Sequence, residues 1–68
     1  MGDPPIDRYE AALRKLPEAH SLALRLRNAG VAAEVICQYL QIEAEGLEPL
    51  ILLARNKLEA ELINLNNL

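Results

Sequence analysis

Apolar residues recur along this chain at spacings of three and four, and the breaks between the runs divide it into four helices. Ile6, Tyr9, Leu13 and Leu16 form one stripe that is expected to be buried, with Asp7, Arg8, Glu10, Arg14 and Lys15 left to solvent. Asp3 can cap this first helix, because its carboxylate takes free amide N–H groups and Pro4 and Pro5 cost nothing in a first turn. The helix is expected over 6–15. Pro17 ends it by pushing Leu16 out of helical backbone and then suits the first turn of a second helix, 17–29. There Ala19, Leu22, Ala23 and Leu26 make the inward stripe, and Gly30 stands where a left-handed residue would terminate it.

A short third helix, 32–40, carries Val35, Ile36, Tyr39 and Leu40, and Cys37 on it packs as a small hydrophobe. Gln41, Ile42 and Glu43 then make a turn, with Ile42 as the apolar plug between its two helices and Glu43 or Glu45 serving the start of the next. The pattern from Ala32 to Leu58 is a helix-turn-helix. The predicted fold is all-α: one domain of four helices over residues 1–68, the last helix long, with 59–68 extending beyond the helix-turn-helix unit.

The fourth helix, expected over 46–65, carries two apolar rows. Leu47, Leu50, Ile51, Ala54, Leu58, Leu62 and Leu65 fall on one face at 100° per residue, and this is the face a small domain would bury. Leu53, Asn56, Ala60, Ile63 and Asn67 run along the opposite side with Leu52 beside them. Burying one face cannot hide both rows, unless helix one folds over the second. The helix would be about 30 Å long, whereas a compact chain of this length has a radius of gyration of ~11 Å and is about 28 Å across. Its end must lie across the other helices or project beyond them.

Composition sharpens this. A single core of 68 residues is marginal without a metal, disulfides or a partner. Cys37 is the only cysteine, so no intrachain disulfide forms, and no Cys/His cluster has zinc-site spacing. A second subunit is the remaining aid, and a hydrophobic fraction of 51% without Phe or Trp suits helix packing. No apolar run reaches the eighteen residues of a membrane span and the N-terminus lacks signal-peptide character, so a cytoplasmic chain is expected.

Charge is unevenly spread. Residues 1–30 hold five basic and four acidic side chains, whereas residues 31–68 hold two basic and six acidic. Arg25 and Arg27 lie near the end of helix two, where the helix dipole favours positive charge. His20 has no Cys, Asp or second His at ligand or catalytic spacing and is expected to be solvated. Cys37 has no basic neighbour to make it reactive. The chain has no nucleophile with a base, no paired carboxylates and no glycine-rich phosphate loop, so neither catalysis, cofactor nor metal is expected.

From Leu16 to Leu58 the chain resembles the fourth conserved region of bacterial RNA polymerase sigma factors, the helix-turn-helix domain that reads the −35 promoter element. The likeness rests on Leu16-Pro17-Glu18, Leu24-Arg25-Leu26-Arg27, Leu40-Gln41-Ile42 and Ala54-Arg55-Asn56-Lys57-Leu58. It implies a helix-turn-helix fold whose final helix would read DNA. The departures fall on the reading positions: Gly46, Glu48, Pro49 and Leu50 stand where the family carries Thr, Lys, Ser and Arg, and Leu53 replaces a further basic residue. Gln41 replaces the glycine of the turn. Three glutamates and no basic residue lie between Glu43 and Leu53, and carboxylates facing phosphate repel it. Pro49 would also delete a helical hydrogen bond unless the helix began just before it.

Two functions are therefore expected to compete. One is a sigma-like module given over to protein interaction, forming a homodimer through Leu52, Leu53, Asn56, Ala60, Ile63 and Asn67 and engaging the transcription machinery. The other is DNA binding through Arg25, Arg27, Arg55 and Lys57, with Arg8, Arg14 and Lys15, on an unusual surface. The sign of the charge favours the first.

Overall fold

A computed structural model describes residues 7–66, and these form four helices: α1 (Arg8–Arg14), α2 (Glu18–Asn28), α3 (Ala33–Leu40) and α4 (Ala44–Asn66). No strand occurs among the described residues, so the protein is an all-α domain with a long C-terminal helix. Asp3, Pro4, Pro5 and Ile6, the expected start of helix one, lie outside the described residues. Within them α1 opens at Arg8, where the Asp7 carboxylate accepts the Tyr9 backbone N–H at 3.0 Å.

The chain breaks where its backbone chemistry demands. Pro17 holds φ at −53° and ψ at 147°, so it precedes α2 as its cap and does not enter the first turn as expected. Gly30 ends α2 with φ at +82°, while Val31 N–H donates to the Leu26 carbonyl and Gly30 N–H to that of Arg27. This pair of bonds satisfies carbonyls that the helix end leaves free. The same arrangement ends α3, but with Gln41 in the left-handed position at φ 59° and Ile42 N–H donating to Cys37. A residue with a Cβ pays roughly 1–2 kcal/mol to stand there.

α4 is the spine: it packs against each of the other three helices. Ala12, Leu13 and Leu16 from the α1 end, Ala23 and Leu24 from α2, and Ile36 from α3 meet Leu47, Ile51, Ala54 and Leu58 in one core. Each large aliphatic side chain hidden this way stabilises the fold by about 1.5–3 kcal/mol. Leu50, Leu62 and Leu65 complete the expected face as half-buried neighbours, and Ile42 packs half-buried beside the turn. The 23 residues of α4 span about 34 Å, and the radius of gyration is 13.3 Å with a longest extent of 42 Å. A compact chain would come to ~11 Å. The molecule is therefore more elongated than a compact chain of its length, although Leu62 and Leu65 keep the late turns of α4 against the core.

Three expectations about the helices need correction, the first being that Tyr9 of α1 is exposed and not part of a buried stripe, while Ala12 is buried beside Leu13. In α2 the expected Ala23 is buried and Leu26 packs half-buried against the core, but Ser21 and Leu24 are buried as well, whereas Ala19 is exposed and Leu22 only half-buried. Leu22 and Leu26, four residues apart, share one side of the helix, and Leu24, two residues from each, lies about 160° round from both. α4 covers the side of Leu24. α4 itself begins at Ala44, two residues before its expected start, which puts Pro49 beyond the first turn. Pro49 has no N–H to give the Glu45 carbonyl.

Candidate interaction surface

The face of α4 opposite the core is uncovered. Leu52, Leu53 and Ile63 are 62%, 47% and 53% exposed, and Asn56 and Ala60 between them are exposed as well. The arrangement follows from helix geometry, since Asn56 lies about 160° round the axis from Ala54 and about 180° from Leu47 and Leu65. α1 does pack on α4, but against its core face, and leaves this row open. Asn67 lies outside the described residues. The five described members hold no ionisable group; Glu59 and Arg55 border them on one side and Lys57 on the other.

The basic residues of the competing reading are not gathered into one surface. Arg25 reaches from α2 to α1, where its Nη1 and Nη2 donate to Oε1 and Oε2 of Glu10 at 2.8 Å each, and its Nε donates to Ser21 Oγ at 3.2 Å. Arg14 Nε donates to the same Glu10 carboxylate at 3.2 Å. The Arg25 hydrogen bonds, helped by Arg14 and opposed by partial desolvation, hold the Glu10 carboxyl at about 2 and raise the Arg25 guanidinium in turn. Arg27 donates to Glu48 on α4. Arg55 and Lys57 are exposed on α4 but diverge by about 200°. The carboxylates of Glu43, Glu45 and Glu48 occupy the exposed start of α4.

His20 departs from expectation. It is half-buried, its Nδ1 is sealed from solvent without a hydrogen-bond partner, and its pKa is pushed down by burial and by the nearby Lys57. His20, Leu24 and Arg27 follow one another at spacings of four and three, so α2 meets α4 along that line. The helix dipole therefore accounts for only part of what Arg25 and Arg27 do, because each joins its helix to another. Charge alternation in α2 signals polar side chains but does not name partners 15 or 21 residues away.

Val35 and Tyr39, expected only as apolar residues of the third helix, are 51% and 66% exposed and, four residues apart, share a face of α3. Their signal was present in two adjacent apolar pairs, 35–36 and 39–40: neighbours on a helix point about 100° apart, and a helix this short, packed on one side, buries Ile36 and half-buries Leu40 while Val35 and Tyr39 stay outside. Cys37 is half-buried against the core, as expected of a small hydrophobe, with Sγ 3.9 Å from the Glu43 carbonyl oxygen.

Among the described residues there is no cleft of ligand size, no group of three metal-ligating side chains, and no helix long and apolar enough to cross a membrane. What the surface offers is the long open face of α4. No protein-family model matches the chain, and neither a curated protein nor a solved structure matches it significantly.

Proposed function

We propose that this protein is a non-enzymatic, sigma-region-4-like helix-turn-helix module that works by protein interaction and self-association, in the setting of cytoplasmic transcription. The observation that carries the reading is the solvent-facing row Leu52, Leu53, Ala60 and Ile63 on α4. Several large aliphatic side chains in one continuous strip are uncommon on a soluble monomer, and covering them removes apolar area from water. A twofold contact, in which each copy offers the same row, is the commonest way soluble chains do this.

The acidic start of α4 supports the same reading, because the helix that would enter a DNA groove presents carboxylates to phosphate. So does the engagement of Arg25 and Arg27 by Glu10 and Glu48. Equilibrium sedimentation tests it: the wild type is expected to be a dimer, and the Leu53→Glu/Ile63→Glu double variant a monomer. A wild type that stays monomeric at high micromolar concentration would refute the reading. Titration with duplex DNA separates the competing function, since submicromolar, sequence-selective binding at physiological salt would replace interaction with DNA reading.

A further inference from the structure

The row on α4 also specifies how its mate is oriented, on the condition that the self-association reading holds. We propose that the occupant is a second copy of this chain whose α4 lies parallel and in register with the first, so that Leu53, Asn56, Ala60 and Ile63 each face their own counterpart. Three observations lead there.

The first is spacing. Leu53, Asn56, Ala60 and Ile63 follow one another at intervals of three, four and three. This is the repeat by which two helices interlock along a shared seam. The core residues Leu47, Ala54 and Leu58 lie on the far side of α4. Both three-helix bodies therefore sit outside such a pair and do not collide.

The second is the chemistry of Asn56, which stands in the middle of an otherwise apolar row. Its amide carries both a donor and an acceptor, so it is complementary to itself. A purely apolar partner would leave it unsatisfied, at a real cost once covered. A second Asn56 at the same level offers it a donor and an acceptor, whereas a slipped register sets it against an apolar side chain.

The third is charge. Round the axis from the middle of the row, Glu59 lies about 80° to one side with Arg55 about 120° out, and Lys57 lies about 80° to the other with Glu61 about 120° out. A parallel twofold pair brings unlike borders together, so the Lys57 side of one copy meets the Glu59 side of the other. An antiparallel pair brings like borders together, setting Lys57 beside Lys57 and Glu59 beside Glu59. Unlike borders choose the parallel arrangement.

Disulfide trapping in the full chain tests the geometry. Leu53→Cys and Ile63→Cys are made singly at these exposed positions, Cys37 is kept, and cross-links formed by mild oxidation are assigned by peptide mass. Circular dichroism checks that each variant keeps its helix content. A disulfide needs Cα atoms closer than about 7 Å. In the parallel pair each variant alone is expected to give a 53–53 or a 63–63 linked dimer, and mixing the two adds no 53–63 product. Cross-linking confined to the mixture would mean antiparallel helices and overturn this proposal, while leaving self-association intact. If the wild type sediments as a dimer and neither variant cross-links through residue 53 or 63, alone or mixed, both the orientation and the row as the seam are overturned. A monomeric wild type would fail at the earlier reading.

Discussion

Arg25 and Glu10 are joined by two parallel hydrogen bonds of 2.8 Å, and with the hydrogen bond from Asn28 Nδ2 to the Tyr9 hydroxyl at 2.7 Å they tie α1 to α2. The fork of a guanidinium matches a carboxylate in direction as well as charge, so the pair sets the angle at which α1 lies. α1 is only seven residues long, too short to be stable as an isolated helix. It depends on this pair and on Ala12 and Leu13 in the core.

That dependence makes a pH prediction. The Glu10 carboxyl is lowered from its ordinary 4.5 to about 2 in the folded protein. A lowered carboxyl pKa adds stability that is present above about 4.5 and is lost as the pH falls toward 2. Glu10→Gln is expected to lower the urea midpoint at pH 7 and to flatten the acid limb of the stability curve. Urea titrations of both proteins at pH 7, 4 and 2 should converge as the pH drops, and a constant gap between them would argue against the pair.

His20 acts in the same direction but at higher pH. Its folded pKa lies below the ordinary 6.5, so its contribution is full above that value and is lost as the pH falls through 6.5 toward the folded value. His20→Leu removes both the titration and the buried, unsatisfied Nδ1. Melting temperatures at pH 7.5 and 5.5 should fall less for this variant than for the wild type, and an equal fall in both would exclude His20 as the cause.

Gln41 offers a stabilising change. Glycine carries no Cβ penalty at φ 59° but costs more entropy when ordered, so Gln41→Gly is expected to gain a net ~0.5–1 kcal/mol. Denaturant unfolding should show a higher midpoint with an unchanged slope. A lower midpoint would mean that the Gln41 side chain makes up for its strain elsewhere.

The core is sensitive in proportion to burial. Ile36 is wholly enclosed where α3 meets the rest, and Ile36→Ala should cost about 2–5 kcal/mol, enough to abolish cooperative unfolding in so small a domain. Ile42, half-buried at the turn, is a milder test. An Asp there can keep part of its hydration, so Ile42→Asp should cost about 1–3 kcal/mol. Thermal melts followed by circular dichroism rank the two.

The existence of four helices, the turn at Gln41–Glu43 and both rows of α4 were legible in the sequence, because proline, glycine and a three-four spacing are local properties that act before any tertiary contact forms. The candidate surface was legible for the same reason: a long helix with apolar residues on opposite sides cannot cover both within 68 residues. Tertiary structure alone decided which side of α2 faces inward, since Leu22 and Leu26 on one side and Leu24 on the other are equally apolar. It also chose Ile36 over Val35 for burial and enclosed His20. Glu10 found Arg25 across 15 residues of sequence, and Arg27 found Glu48 across 21. Such choices depend on how helices lie against one another, and helical periodicity states which residues share a face without stating what will cover it.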